Sequence, residues 1–423
     1  MPTSPAAAPV EDRFAAFRHK AYARYFLARF LSYFALQIVI VSVGWQIYDL
    51  TRDPFDLGLV GLIQFAPALL LILVTGSVAD RFSRRGIILG CDLVEAVSVL
   101  VLLLITWAGL TSPLPIFAVL LVMGIARAFL GPAAQALAPN LVPAKDLPNA
   151  VAWNSSAWQT AGVVGPVVGG LLYGLGPLVP YVTGMVFLLM AATAISLVPA
   201  QPHRISREKQ NWDSLMAGFR YIRRERVVFG AISLDMFAVL LGGAIALMPV
   251  YARDILELGP VGLGLLRASP GVGAVLMALY LASRPIKTGA GIKMFIGVGL
   301  FGLATIVFGL STNMEVSLLA LACLGAADTI SVYVRQTLIQ LWTPDELLGR
   351  VSAVNMVFIG ASNELGEFRA GTMAAFIGPV AAVTLGGVAA VGVAGLWAWM
   401  FPQLRTIQTL ERERKTLEEV SAP

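Results

Sequence analysis

Residues 201–226 read QPHRISREKQNWDSLMAGFRYIRRER, with seven Lys/Arg and three acids in a chain whose charged fraction is only 13%. On either side lie long apolar runs, each about the ~20 residues that cross a bilayer. A segment this polar cannot sit in hydrocarbon, and basic loops stay on the cytoplasmic side of a membrane. The stretch therefore divides the chain into halves, 1–200 and 227–423, joined by a cytoplasmic linker at 201–226. From Trp212 it also reads as an amphipathic helix. Trp212, Leu215, Phe219 and Ile222 share one face at three- to four-residue spacing, and Arg220, Arg223, Arg224 and Arg226 occupy the others. Such a helix ties two halves together at the membrane surface or, alternatively, senses lipid.

Composition sets the class. With 57% hydrophobic residues and a mean hydropathy of +0.79, the chain is an integral membrane protein, because no soluble core hides that much apolar surface. The net charge of +5 does not point to nucleic acid, since the basic residues follow topology. Cys91 and Cys323 fall far apart inside apolar runs, which gives neither a disulfide framework nor metal-ligand spacing. His19 and His203 sit in basic flanks, so catalytic histidine chemistry has little material. No G-x-x-x-x-G-K-[ST] run appears, so ATP is not the expected fuel. No nucleophile setting, metal or cofactor is implied, and an enzyme is not expected. No cleavable signal peptide is expected either, because the first apolar run is too long for one.

Apolar runs near 20 residues number twelve: 25–48, 57–79, 86–109, 114–137, 150–175 and 178–198, then 227–251, 261–282, 292–310, 316–342, 351–377 and 380–400. They read as helices, since barrel strands are short and alternating. With both termini inside, about 23 of the 30 Lys/Arg fall in tails and cytoplasmic loops; two (Arg52, Arg253) fall outside and five (Arg29, Arg127, Arg267, Arg335, Arg369) within spans. An internal repeat joins the halves. Residues 141–147 (LVPAKDL) with Val151 sit 200 positions before residues 341–347 (LWTPDEL) with Val351, each at a fourth-to-fifth span connection. Parallel repeats of this kind are a transporter signature. The fold class expected is an all-α membrane protein of twelve helices in two pseudo-symmetric six-helix bundles.

Three stretches carry recognisable patterns. Residues 76–85 (GSVADRFSRR) join spans two and three, with Gly76, Asp80, Arg81, Arg84 and Arg85 at a cytoplasmic turn. They resemble the G-x-x-x-D-R-x-G-R-R signature of the major facilitator superfamily, with Ser83 where Gly is usual. Arg127 and Gly131 in span four are similar to that family's R-x-x-Q-G pattern, with Leu130 for Gln. In span five, Gly165, Pro166, Gly169 and Gly170 permit close helix approach and a bend. They look like the G-x-x-x-G-P-x-x-G-G signature of its antiporter branches, with Ala161 in first place. Residues 26–30 (FLARF), 215–221 (LMAGFRY) and 343–350 (TPDELLGR) extend the likeness over the chain, termini excepted, to the enterobactin-exporter-like branch. The resemblance implies proton-driven efflux across a bacterial inner membrane, and a conformational gate in the Asp80 loop.

Ionisable groups inside spans must pair, turn inward or line a watery path. Arg29, Tyr33 and Gln37 share a face of span one; Asp92 and Glu95 lie in span three, Asp235 in span seven, and Asp328, Ser331 and Arg335 along span ten. Span eleven carries Asn355, Asn363, Glu364 and Glu367. Glu367 is the expected proton carrier, with Glu364, Asp235 or the Asp92/Glu95 pair behind it; Arg29 and Arg369 are its expected charge partners, and Arg127 serves coupling or tethers helices. Gln37, Trp158, Asp328, Arg335, Asn355 and Asn363 are the expected cavity residues, with Phe34, Trp45, Phe237 and Met356 as further walls. The function expected is a proton-coupled exporter of a small amphipathic molecule such as a siderophore or drug, working as a monomer among membrane lipid. Proton-coupled uptake, and a receptor that no longer transports, remain open on the same fold.

Overall fold

Inside hydrocarbon every backbone N–H and C=O must find its partner within the protein, and the apolar runs of this chain fold accordingly. A computed structural model describes residues 12–200 and 212–408, which are helical with short connections and no strand among them. Nine helices among the described residues are long and apolar enough to cross a membrane. Together with Pro54–Leu70 continued by Ile72–Arg81, Leu147–Leu175 and Asp345–Ile377, the count is consistent with twelve.

In order, the spans are Lys20–Thr51, the broken pair Pro54–Leu70 and Ile72–Arg81, Arg84–Trp107, Leu114–Leu137, Leu147–Leu175 and Val179–Ser196 in the first half. Arg226–Gly242, Gly259–Ser283, Ala290–Leu310, Met314–Trp342, Asp345–Ile377 and Pro379–Met400 follow in the second. The pairing of helices repeats. Spans 1–6, 1–5, 3–4, 3–6 and 2–4 pack together, and so do spans 7–12, 7–11, 9–10, 9–12 and 8–10, each six further on. The bundles meet through span five against span eight and span two against span eleven. These two contacts exchange under the same six-span shift, so the repeat in the sequence is a two-fold pseudo-symmetry in space.

Two spans are less regular than their apolar runs suggest. Span two breaks at Leu71, four residues after Pro67, whose ring removes a backbone donor. Span seven ends at Gly242. Residues beyond Gly243 continue as a 3-10 turn (Ile245–Leu247), a short α turn (Met248–Val250) and a π turn (Tyr251–Ile255). Adjacent Gly242 and Gly243 are weak helix formers, and Pro249 denies its turn a hydrogen bond.

The burial pattern is that of a protein solvated by lipid. Asp92 and Glu95 are fully buried, while Leu319 is 67% and Trp399 77% exposed on the outer faces. The linker helix Trp212–Arg224 forms as expected. Its Ile222 packs with Val351 and Val354 of span eleven, and Tyr221 donates to the Trp342 carbonyl at 2.6 Å, which fastens the helix to the second half. Residues 201–211 of the basic linker and both chain ends, 1–11 and 409–423, lie outside the described residues. The end of the bundle that carries this helix and the 76–85 turn is called the linker end below, and the opposite one the far end.

Candidate functional site

Between the bundles lies a cavity of about 300 Å³, walled by spans one and five of the first half and spans seven, eight, nine, ten and eleven of the second. Gln37, Trp158, Asp328 and Asn363 line it, as expected from the sequence, together with Glu367. The irregular turn after Gly242 contributes Gly243 and Ala244 to its wall, so the break in span seven faces the cavity. Backbone that leaves helical order inside a membrane is tolerated at such places.

Other expected wall residues lie elsewhere. Arg335 pairs with Asp235 inside the second bundle, so neither side chain is free to meet a substrate. Asn355 is 2% exposed and away from the cavity. Phe34 stacks on Phe30 and meets Phe187 at a tilt within the first bundle, Phe237 packs at a tilt on Trp397, and Trp45 lies under Arg253 at the far end. Met356 does not line the cavity either. A helical wheel gives the face of each residue but not which neighbour that face meets.

Glu364 and Glu367 come together at the seam between the halves. A Cβ added to Gly61 of span two would lie 2.7 Å from one Glu364 oxygen and 3.3 Å from one Glu367 oxygen. The glycine thus makes the room in which both carboxylates fit. The cations that act on them are not the expected charge partners Arg29 and Arg369, but Arg267 and Arg127, the latter expected to serve coupling or to tether helices. Arg267 of span eight acts electrostatically on both glutamates, and its guanidinium approaches Gly44 of span one. Arg127 of span four acts on Glu364 and donates to Gln64 Oε1 at 3.0 Å. Arg369 instead donates to the Leu240 carbonyl at 2.9 Å, on another face of the helix. Arg29 belongs to the first bundle, where its guanidinium stands 4.4 Å from the Tyr33 ring centre and faces Asp92. Arg267 was visible in the sequence as a charge inside a span, and its position two turns after Gly259 offered no further signal.

Span five joins two contacts. A Cβ on Gly169 would lie 3.0 Å from the Ile38 backbone, and one on Gly165 would strike Gln37, both in span one. Gly170, on the neighbouring face, meets Pro260 and Gly264 of span eight, while Gly264 in turn sits against Pro166. The glycine motif therefore packs span five within its own bundle and across the seam at once.

At the far end the halves are clasped. Arg253 pairs with Asp49, Tyr48 donates to Asp254, and Arg52 reaches the same carboxylate at 3.0 Å. Arg52 and Arg253 are the two basic residues that the charge count left outside. At the linker end, Arg84 donates to the Ala136 carbonyl at 2.8 Å and Arg85 to the Ser196 carbonyl. Cations thus close the C-terminal ends of spans four and six, where helix carbonyls lack partners. Ser83, in the place usual for Gly, caps span three by accepting from the Gly86 N–H at 3.2 Å. Gly76 and Asp80 lie in the helix Ile72–Arg81, at whose exposed end Arg81 stands; the Asp80 side chain is outside the described residues.

Comparison with known proteins fits this architecture. The chain is 27% identical over 425 residues to the enterobactin exporter EntS of Escherichia coli O1:K1, covering 96% of both chains. The same figures hold for the Shigella boydii serotype 18 protein of that name. Among solved structures it resembles a bacterial homologue of the lysosomal transporter Spinster, with a TM-score of 0.68 at 16% identity over 95% of this chain and 98% of that one. A bacterial homologue of the iron transporter ferroportin gives a TM-score of 0.65 at 14% identity, covering 91% and 98%. At such identities the structural likeness speaks for the fold alone. The family model described as transmembrane secretion effector matches residues 11–420. With its helices paired as two repeats around one cavity, this multi-pass chain belongs to that family of major facilitator membrane transporters.

Proposed function

We propose that this transporter is a proton-coupled exporter, an antiporter that moves a small amphipathic molecule such as a siderophore or drug out of the cell by alternating access. One observation carries the reading: the Glu364/Glu367 pair sits at the seam between the halves, against Gly61 and facing Arg267, while Glu367 also lines the cavity. A carboxyl in that place is positioned to exchange a proton in one arrangement of the halves and to meet substrate in another. Glu367 is the leading carrier and Glu364 shares the niche, with Arg127 and Arg267 as their charge partners. Asp235 is committed to Arg335 and Arg29 to the first bundle, so both act through packing.

The basic linker supports an inner-membrane orientation with both termini in the cytoplasm. In that orientation the Asp49–Arg253 clasp closes the outside. The halves 1–200 and 227–423 of the monomer then move against one another, tethered by 201–226. The glycine-proline motif of span five and the 76–85 turn support export with a cytoplasmic gate, Asp80 holding one state. The name of the E. coli relative, an exporter, points the same way.

Inverted membrane vesicles test the reading. With the interior made acid, wild-type vesicles should accumulate a fluorescent amphipathic dye, and collapse of the gradient should release it. Glu367→Gln vesicles should take up dye only to equilibrium. Gradient-driven accumulation by the Gln variant equal to wild type would remove the proton role from Glu367.

A further inference from the structure

The charges that line the cavity all have one sign. Asp328 and Glu367 are its ionisable walls among the described residues, and no lysine or arginine lines it. The two carboxylates differ in their surroundings. Neither has a Lys or Arg within ion-pair distance among the described residues, but Arg267 acts electrostatically on Glu367, whereas no cation is among the influences on Asp328. Nearby buried charges of the same bundle are answered. Asp235 holds Arg335, and Arg369 donates to the Leu240 carbonyl. Asp328 is the middle residue of Met314–Trp342, the depth at which an unanswered carboxylate is most costly.

Aromatic surfaces line the same cavity as this carboxylate. Trp158 of span five, 59% exposed, and Phe301 of span nine both line the cavity. Gln37, Gln159 and Asn363 add neutral amides. Ring faces attract cations through their quadrupole, and a carboxylate in a site of low polarity binds a positive charge in preference to any other. An anionic ligand would meet two carboxylates there and no lining cation.

We propose that the transported molecule is an organic monocation with a flat aromatic part, held by the Asp328 carboxylate with its ring against Trp158 and Phe301. This rests on the reading of the cavity as the transport site and deepens it by naming the class of substrate. It also separates two tasks: Asp328 holds the substrate and Glu367 holds the proton.

The test is equilibrium dialysis on the full chain in lipid nanodiscs, with no gradient present. The probe is N-methyl-phenylpyridinium, a permanent flat cation that fits a cavity of about 300 Å³. Wild type should bind it saturably, and biphenyl carboxylate, of similar shape but negative, should not displace it. Asp328→Asn should weaken binding by about tenfold or more, the effect of ~1.4 kcal/mol, and Asp328→Glu should restore most of it. Trp158→Ala, at an exposed position that does not threaten folding, should weaken binding by about threefold. Displacement by the carboxylate, no saturable binding of the cation, or wild-type affinity in either Asp328→Asn or Trp158→Ala would overturn the proposal. Because no gradient enters the measurement, binding that depends on Asp328 in a protein without proton-driven transport would refute the exporter reading and leave this one standing. Proton-driven transport without such binding would do the reverse.

Discussion

Asp92/Glu95 of span three and Glu364/Glu367 of span eleven are two acidic pairs with the same three-residue spacing, each inside an apolar helix. The first pair is sealed within one bundle. Both residues are fully buried, Asp92 accepts from the Ser32 hydroxyl at 2.6 Å, and neither Glu95 oxygen has a hydrogen-bond partner. The second pair stands where the bundles meet, half-buried, against a glycine of one half and an arginine of its own. Under the proposed alternating access, a charge enclosed in one bundle keeps its surroundings as the halves move. A charge on the seam changes partners when the seam opens. That is the physical distinction between a structural acid and one able to couple. Arg127 stands between the two pairs, acting electrostatically on Glu95 and on Glu364.

The largest effect that would break this comparison is loss of coupling in the wrong pair. Glu367→Gln should abolish gradient-driven accumulation altogether, while Asp92→Asn keeps it; vesicle assays of the two variants side by side decide. Next comes Gly61→Leu. A side chain there strikes both carboxylates, and overpacking costs ~1–3 kcal/mol. Since the contact exists only while spans two and eleven are closed together, the variant should favour the opposite state. A cysteine placed at Gln37 should then label faster from the far side than it does in an otherwise wild-type protein, and an unchanged rate would show the seam does not open there.

A smaller effect is expected from Arg127→Gln. Removing one of two cations that face the glutamates should lower the coupled rate by about tenfold, corresponding to ~1.4 kcal/mol. Initial rates with the gradient imposed check this; a rate as low as that of Glu367→Gln would make Arg127 as indispensable as the carboxyl, and a wild-type rate would remove it from coupling. The smallest effect belongs to Asp92→Asn itself. The amide oxygen still accepts from Ser32, so the thermal midpoint in detergent should fall by the equivalent of ~1 kcal/mol or less. A larger fall, with coupling lost, would move the first pair into the mechanism.

Much of this architecture was legible in the residues. Run length dictates helices, because hydrocarbon leaves an isolated backbone segment no other choice, and the nine apolar helices found among the described residues are consistent with the twelve expected. The match of residues 141–147 with 341–347 foretold the six-span repeat of packing partners. Residues 212–224 announced their helix through a three- to four-residue apolar period. The break of span seven was written in Gly242, Gly243 and Pro249 but was hidden by the apolarity around it, which sets membrane residence and not helix continuity.

What the sequence determined by itself are the properties that depend on a residue and its neighbours in the chain: which segments enter the membrane, how the halves repeat, and which helices carry costly charges. Only the tertiary structure decided how those charges are spent. It gave Arg335 to Asp235, turned Arg369 toward Leu240, let Arg267 act on the glutamates and left Asp328 lining the cavity with no Lys or Arg within ion-pair distance among the described residues. It also made a clasp of Arg253 and Asp49, which are about 200 positions apart in the chain. The physical reason is distance. A charge interaction fades over a few ångströms of separation in space, whatever the separation along the chain, and the helix faces that fix those distances are set by packing between spans rather than by the spans themselves.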